Sequence, residues 1–403
     1  MESRNLREML AEAKDTSELM VDLAYAAVFF DDADMSDEVL ELEGDISDLV
    51  HQMRAQCIIA VRNPREAEAM SAVLQVISAV EGIGNSAVDI AKTVTRRLSI
   101  PRQLVADLTA AEEVSHRVKV AEGSSFANGS LAAFELPANA GMRVLAVRRG
   151  RSWLVDPGGD DVLQPGDVLF LRGSPDGIGR LRELAGASPW QPPKMSDEDQ
   201  ALSDLDRAVD TLVEMKNLSE VAVGLAYSAL VFRDKNLAAE VRHLEDRLDE
   251  MKIRLETWVL RAANDGIEPD RLRGLLQLGS AAEDLGDQAQ QMVWLIERSS
   301  DLHPVLGVAL GDTDDVVVQL PVNASSDAVG RTLVGLDLGF NVLAVKRAGR
   351  YIYRPHKTVQ VMSGDELLAY GPEEGRVSLA QSLGWRLVLE GDDNELVLEP
   401  LVS

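Results

Sequence analysis

Cysteine, aromatic residues and positive charge are all scarce in this chain of 403 residues. Cys57 is the only cysteine, so no disulfide can form within the chain, which suits a reducing compartment such as the cytoplasm. Aromatic residues make up 4% of the sequence and hydrophobic residues 46%, so a core must consist mainly of Ala, Val and Leu. The net charge of −27 argues against nucleic acid as a partner, because phosphates would be repelled.

The sequence also lacks the motifs of a membrane anchor and of common enzymes. No uninterrupted apolar run approaches the ~18 residues of a membrane span, and the charged start MESRNLREML is unlike a signal peptide. There is no G-x-x-x-x-G-K-[ST] loop, no G-x-G-x-x-G loop and no H-E-x-x-H motif. These absences predict a cytoplasmic protein that is not an enzyme and does not itself insert into a membrane.

What the sequence does contain is an internal duplication. Residues 144–173 align without a gap with residues 342–371 at an offset of 198, and ten of the thirty positions are identical. Residues 17–32 align with residues 219–234 at an offset of 202. The chain is therefore predicted to have the order A–B–A′–B′, in which a two-domain unit occurs twice.

This order divides the chain into five segments. Helical bundles are predicted over residues 1–98 and 201–300, and small α+β domains over residues 99–187 and 301–403, the last with a C-terminal hairpin. The proline-containing segment 188–200 is predicted to be a linker.

Each A segment is predicted to fold as three long helices in an antiparallel bundle. Apolar residues are almost continuous in LMVDLAYAAVFF, as in a buried helix, and recur at spacings of three and four in the next helix. A third helix is expected from Pro64 to about Arg97 and from Pro269 to about Arg298, because proline is tolerated in a first helical turn.

Each B segment is predicted to be a small α+β domain. RVKVAEG, SLAAFEL, MRVLAVRRG, SWLVDP and DVLFLRG alternate or run apolar between turn residues, which is typical of strands. GRLRELAG and RTLVGLDL predict short helices. The phrase Gly-Asp-x-Leu-x-x-x-Gly occurs at Gly166 and again at Gly364, where glycine supplies a tight turn that the following aspartate caps.

Both kinds of segment resemble known domain families. V-G-R-T-L-x-x-L at 329–336, NVLAVKR at 341–347 and the Gly-Asp phrase resemble the TrkA-C (RCK-C) domain of potassium-conductance regulators. LAYAAVFF, LAYSALVF and EDLGDQA resemble PhoU helical domains. The resemblance implies a multidomain α and α+β fold, with two antiparallel three-helix PhoU-like bundles alternating with two small α+β TrkA-C-like domains.

The combination resembles archaeal-type accessory proteins of prokaryotic ion transport. It implies a soluble, non-enzymatic regulator of ion transport, with potassium as the expected ion, acting at the cytosolic face of a membrane channel or transporter. The alternative is a PhoU-like metal-binding signalling protein that regulates phosphate uptake. TrkA-C domains pair, so the two copies are expected either to form an internal pseudo-dimer or to form a homodimer between two chains.

The TrkA-C resemblance also implies a groove that binds cyclic di-AMP. The matching positions flank the same strands in both copies: Phe340, Asn341, Val342, Arg354 and Pro355 in the second, and Met142, Arg143, Val144 and Pro157 in the first. Arg354 would attract a phosphate, and its counterpart Asp156 would repel one, so the second copy is the expected sensor. The alternative is that these residues only begin and end core strands.

The PhoU resemblance implies a divalent metal site in the second bundle. Glu245 and Asp249, and likewise Glu283 and Asp287, lie four positions apart, which places each pair on one helix face. Four carboxylates on adjacent helices would suit Mg, Ca, Mn or Fe. With 67 acidic residues in the chain, such pairs also arise by chance on solvated faces.

The first bundle lacks half of these carboxylates. The matching pairs are Glu43 with Ser47 and Glu81 with Asn85. No metal site is therefore expected there.

Overall fold

The computed structural model describes most of the chain as two compact units. It describes residues 5–98, 114–150, 152–173, 175–190, 203–264, 266–267, 269–298, 303–310, 315–333, 336, 340–353, 355, 358–390 and 395–401. The first unit comprises Met1–Arg117, Phe170–Pro175 and Trp190–Thr313, and the second comprises Val118–Leu169, Asp176–Pro189 and Asp314–Ser403.

The helices and strands follow the duplicated order. The helices are α1 (Leu6–Phe30), α2 (Ala33–Ala60), α3 (Pro64–Thr95), α4 (Leu136–Ala140), α5 (Ile178–Leu184), α6 (Asp204–Phe232), α7 (Lys235–Asn264), α8 (Pro269–Arg298), α9 (Pro304–Leu310) and α10 (Arg376–Ser382). The strands are β1 (Val114–Lys119), β2 (Met142–Arg149), β3 (Ser152–Val155), β4 (Val168–Gly173), β5 (Asp315–Pro321), β6 (Asn341–Arg347), β7 (Arg350–Tyr353), β8 (Glu366–Pro372), β9 (Trp385–Glu390) and β10 (Glu395–Pro400).

Each copy contributes three long helices, as the sequence predicts, and all six belong to the first unit. Helices α1–α3 contact one another, α6–α8 do the same, and α3 packs against α8. Two capping boxes fix where the copies begin: Asn5 caps α1 with Glu8, and Ser203 caps α6 with Asp206. The two bundles therefore contact each other through α3 and α8.

Helix α3 is the most apolar of the long helices. Among the described residues, its segment Glu66–Thr95 is the one long and apolar enough to cross a membrane, and about half of its most apolar stretch is buried in the protein. Its buried residues include Val76, Ile77, Val80 and Ile83. Because α3 is enclosed by α1, α2 and α8, its apolar composition follows from its central position in the first unit.

Each α+β domain is built on a four-stranded sheet with the same strand order. The orders are β1-β4-β2-β3 and β5-β8-β6-β7. In the second sheet, all three neighbouring strand pairs are antiparallel, with a bulge between Val342 and Ala344. Strands β9 and β10 form the predicted C-terminal hairpin, with Trp385 opposite Pro400.

One predicted strand is helical. SLAAFEL is not a strand: Leu131–Phe134 is a 3-10 helix and α4 follows it. The physical reason is local packing, because the Phe134 ring packs edge-on against Phe126 at 4.8 Å and covers Gly129, which has no side chain to obstruct it. The counterpart RTLVGLDL contains a 3-10 residue at Leu333, but several of its other residues lie outside the described ones.

The second unit contains a contact between the two copies. Helix α4 of the first copy lies against the 3-10 turn Glu373–Gly375 of the second. The predicted linker cannot be compared, since residues 191–200 lie outside the described residues.

Candidate functional site

The four carboxylates predicted to bind metal meet between α7 and α8. Glu245 and Asp249 lie on α7, Glu283 and Asp287 on α8, and they contact one another across the helices. The carboxyl of Glu245 is within hydrogen-bonding reach of Asp287, and that of Glu283 within reach of Asp249. Two crossed carboxyl pairs result, and each can be held together only by a shared proton or by a cation.

This crowding raises the affinity of the cluster for protons. Burial, followed by the charges of Asp249, Asp287 and Asp246, raises the pKa of Glu245 to about 7. Burial also raises the pKa of Glu283, although Lys252 opposes the effect. Near neutral pH the cluster therefore exchanges a proton, which is the property expected of a cation site.

Two neighbouring side chains already contact the cluster. Lys252 Nζ donates to Glu283 Oε2 at 2.6 Å, and Gln290 Nε2 donates to Glu245 Oε2 at 2.6 Å. Among the described residues, no group of three or more His, Cys, Asp or Glu side chains encloses a position for an ion. The donor set thus suits a hard cation, but binding one requires Lys252 to release Glu283.

In the first bundle, the counterparts of the four carboxylates do not form a cluster of acids. Ser47 Oγ donates to Glu43 Oε1 at 3.2 Å, and Arg54 Nη2 contacts Glu81 Oε2 at 2.7 Å. Ser47 and Asn85 therefore stand in the place of the second carboxyl of each pair, and Arg54 neutralises the remaining Glu81. This contrast between copies supplies a control within one chain.

The ligand-binding residues predicted in the second TrkA-C segment lie where β6 begins. Asn341 and Val342 are half-buried and pair with Tyr370 and Ala369 of β8, and Phe340 packs against the core of this domain. Pro355 is half-buried after β7. Arg354 lies outside the described residues.

In the first copy the equivalent positions are closed. Met142 and Val144 are buried in the core, and Pro157 is half-buried. Arg143 Nη2 contacts Asp156 Oδ1 at 3.1 Å. Asp156, the counterpart of Arg354, thus pairs with Arg143. This ion pair reduces the attraction of Arg143 for an anionic ligand.

The repeated Gly-Asp phrase forms a clamp that the sequence only partly predicts. Gly166 and Gly364 adopt φ values of +94° and +81°, which favour glycine. Asp167 is 1% exposed and binds Arg149 through two contacts of 2.9 and 2.8 Å. Asp365 repeats this with Arg347 at 2.8 and 2.7 Å. The offset of 198 relates both arginines and could have identified them.

Each clamp also closes its turn through backbone groups. Gln164 N–H donates to Asp167 Oδ2 at 2.7 Å, and Met362 N–H donates to Asp365 Oδ2 at 2.8 Å. Arg149 Nη2 also donates to the carbonyl oxygen of Val162 at 2.9 Å, and Arg347 Nη2 donates to that of Gln360 at 2.8 Å. The clamp is structural: it joins β2 or β6 to the turn before β4 or β8.

Sequence reasoning missed a buried charged centre in the first unit. Lys14 of α1 lies 5.2 Å from the ring centre of Tyr227 on α6, and Lys216 of α6 lies 5.1 Å from that of Tyr25 on α1. These residues are counterparts at offset 202, so the contact is reciprocal. The two copies therefore face each other about an approximate two-fold axis.

Arg172 joins this centre on one side only. It forms ion pairs with Asp22 of α1 and with Glu220 of α6, the latter at 3.0 Å. Burial alone would raise the pKa of Glu220, but Arg172 and Lys216 lower it below its ordinary value. The counterparts of Asp22 and Arg172 are Gly224 and Tyr370, so this feature breaks the symmetry of the duplication.

Two family models match the chain, and each matches it twice. The PhoU domain model matches residues 10–94 and 212–295. The TrkA-C domain model matches residues 116–186 and 317–383. No curated protein matches the chain.

Solved structures of both kinds are similar to the chain at low identity. PhoU from Pseudomonas aeruginosa is 14% identical, with 72% of this chain and 93% of that chain covered and a TM-score of 0.40. The GsuK channel bound to NAD is 13% identical, with 77% and 65% covered and a TM-score of 0.18. The GsuK RCK domain is 12% identical, with 77% and 78% covered and a TM-score of 0.17.

The domain assignment rests on the two family models. Both families are regulatory, and together they point to a role in regulating ion or phosphate transport. The predicted resemblance is confirmed for both kinds of segment. The chain contains two PhoU domains and two TrkA-C domains, which alternate along its length.

Proposed function

We propose that this protein is a soluble, non-enzymatic regulator of potassium transport that acts at the cytosolic face of a membrane channel or transporter. The observation that supports this is the alternation of PhoU and TrkA-C domains, each present twice in one chain. The TrkA-C domains serve as the sensor for a small ligand. The PhoU bundles serve as the surface that contacts the transporter.

Deleting the gene tests the transported ion. The expected result is a change in cellular potassium content under potassium limitation, with phosphate uptake unchanged. A change in phosphate uptake with unchanged potassium would instead support the second candidate. Re-expression of the intact chain is the control, and it should restore the original potassium content.

The second candidate is a metal-binding signalling protein that regulates phosphate uptake. The observation that favours it is the carboxylate cluster of Glu245, Asp249, Glu283 and Asp287 between α7 and α8. In this candidate, a divalent cation bound there controls the contact with the phosphate transporter. The deletion experiment separates the two candidates because it measures both ions.

The proposed sensor ligand is cyclic di-AMP, bound by the second TrkA-C domain. In the first domain Asp156 pairs with Arg143, whereas the second carries Arg354 at the position of Asp156. An added arginine–phosphate contact contributes about 1.5–3 kcal/mol, which corresponds to roughly a tenfold to hundredfold change in affinity.

Calorimetric titration of the intact protein with cyclic di-AMP checks this prediction. Arg354→Asp is expected to weaken binding at least about tenfold. Arg143→Ala is the matched control in the first domain, and it should change the affinity by less than about twofold. Equal losses in both variants, or unchanged binding in Arg354→Asp, would place the ligand elsewhere.

The two TrkA-C domains are proposed to pair within one chain. The contact of α4 with Glu373–Gly375 in the second unit supports internal pairing. Light scattering is expected to give the monomer mass at every concentration. A stable dimer that persists on dilution would favour pairing between chains instead.

A further inference from the structure

A cleft of about 310 Å³ opens between α3 and α8 in the first unit. It adjoins the carboxylate cluster between α7 and α8, because Asp284 follows Glu283 in α8, but none of the four cluster carboxylates lines it. Its lining comes from both PhoU bundles: Asp89, Arg96, Leu98, Arg273, Leu276, Gln277, Ser280, Ala281 and Asp284. The volume lies at the lower end of the range of pockets that hold small ligands, about 300–1,000 Å³.

The approximate two-fold axis relates this cleft to a second position in the α3–α8 interface, with which it can be compared. At the related position the helices contact each other directly, because Gln75 Nε2 donates to the carbonyl oxygen of Gln291 at 3.0 Å. There Gln288 also fills the space over Gly82, where an added Cβ would lie 2.2 Å from its side-chain oxygen. One side of the α3–α8 interface is thus closed by packing.

Residue exchanges between the copies account for the open side. Asp284 stands at the position of Gly82, and Ser86 at the position of Gln288, so the side chain that fills the closed side is absent. Arg273 stands at the position of Ser71, which adds a cation to the cleft. The α3–α8 interface is therefore closed on one side of the axis, and on the other side the exchanged residues leave a charged cleft.

The charges of the cleft are separated along the helices. Arg96 follows the end of α3 and Arg273 lies in the second turn of α8, so both arginines belong to the same end. Asp89 lies about 10 Å back along α3 from Arg96, and Asp284 lies about 16 Å forward along α8 from Arg273, at a rise of about 1.5 Å per residue. The end with both arginines is cationic, and the other end carries the two carboxylates, of which Asp89 also pairs with Lys92 Nζ at 3.1 Å.

Each end recognises a different group. Two guanidinium groups form forked hydrogen bonds with a phosphate. Two carboxylates accept hydrogen bonds from an amino group. Leu98, Leu276 and Ala281 supply an apolar surface between the ends, and Gln277 and Ser280 add polar groups.

We propose that this cleft binds a nucleoside monophosphate whose base carries an amino group. The phosphate lies between Arg96 and Arg273, and the amino group of the base donates to Asp89 and Asp284. The ring system packs on the apolar surface between them. An amino acid is too small to reach both ends of a cleft of this length, and a free phosphate would use only one end.

Calorimetric titration of the intact protein with AMP tests the site. The expected result is saturable binding with one site per chain, weakened at least about tenfold by Arg96→Ala and by Arg273→Ala. Both arginines are exposed, so their truncation should leave the thermal unfolding midpoint unchanged. IMP, which has a carbonyl in place of the amino group, should bind more weakly than AMP, and Asp284→Asn should reduce that difference.

Control variants separate this cleft from the other sites. Arg62→Ala, which replaces an exposed arginine between α2 and α3, and Asn341→Ala, in the proposed cyclic di-AMP groove, should leave AMP binding unchanged. Loss of AMP binding in Asn341→Ala would assign the nucleotide to the TrkA-C domain and overturn the proposal. Absence of AMP binding, binding unaffected by the arginine variants, or inorganic phosphate binding as tightly as AMP would overturn it as well.

Discussion

Replacing Asp365 with asparagine is expected to lower the free energy of unfolding of the second TrkA-C domain by about 2–3 kcal/mol. The carboxylate is 1% exposed and accepts two hydrogen bonds from Arg347 and one from the backbone of Met362. Asparagine keeps the shape but removes the charge, and its amide nitrogen cannot accept from the guanidinium. Asp167→Asn should have a similar effect on the first domain, because its clamp has the same geometry.

Hydrogen exchange measured by mass spectrometry checks this prediction domain by domain. Protection of peptides from residues 315–390 should fall in Asp365→Asn. In Asp327→Asn, which replaces an exposed aspartate in the same domain, the free energy of opening derived from that protection should change by less than about 0.5 kcal/mol. Unchanged protection in Asp365→Asn would mean that the clamp does not stabilise the domain.

The clamp also gives the first TrkA-C domain a defined sensitivity to acid. Burial alone would raise the pKa of Asp167, but hydrogen bonds from Arg149 and from the backbone of Gln164 lower it below its ordinary value. A lowered carboxyl pKa stabilises the folded domain above the unfolded value, near 4, and this stabilisation is lost as pH falls through the folded value. Asp167→Asn should therefore remove part of the acid dependence below about pH 4.

The second large effect is expected at the carboxylate cluster. Metal-free protein titrated with Mn²⁺ at pH 8 should bind one ion per chain, and Glu283→Ala or Asp287→Ala should each abolish that binding. The physical reason is that a cation can join the two crossed carboxyl pairs that otherwise repel one another. Equal metal content in the wild type and both variants would refute the site.

The first bundle provides the matched control. Glu81→Ala should leave metal binding unchanged, because Glu81 is held by Arg54 at 2.7 Å and its neighbour on the helix is Asn85. Lys252→Met should strengthen metal binding, since it removes the ammonium that competes for Glu283. Weaker binding in Lys252→Met would argue against a cation at this position.

The pH dependence of the cluster follows from Glu245. Its folded pKa of about 7 lies above the ordinary value of 4.5, so the folded state holds an extra proton between these two values. In the metal-free protein, this contribution to stability is complete below about pH 4.5 and is lost as pH rises through about 7. Asp246 and Asp249 on α7 and Asp287 on α8 are the charges that raise the pKa.

Thermal unfolding across this range checks the sign. Glu245→Gln should be more stable than the wild type at pH 8 without metal, and its stability should vary less between pH 5 and 8. Metal affinity of the wild type should rise as pH increases toward 7, by at most about tenfold per pH unit for one released proton. A metal affinity independent of pH would contradict the involvement of Glu245.

Local patterns predicted the elements well where neighbours in sequence determine them. Proline at Pro64 and Pro269 and the apolar spacing gave the third helix of each bundle to within two residues at its end. SLAAFEL was predicted incorrectly because its conformation depends on the contact of Phe134 with Phe126 and Gly129, which a strand pattern does not contain. The spacing of the four acids placed them on helix faces, but the crossed pairing of Glu245 with Asp287 depends on how α7 meets α8.

The sequence by itself determined the duplication, the two domain families and their order, because these follow from residue identities at fixed offsets. Only the tertiary structure decided which side chains meet between helices. It set Lys14 against Tyr227 and Lys216 against Tyr25, paired Arg54 with Glu81, and opened the cleft beside α3 and α8 on one side of the approximate axis. These contacts join residues far apart in the chain, so their energies depend on helix packing that no local pattern encodes.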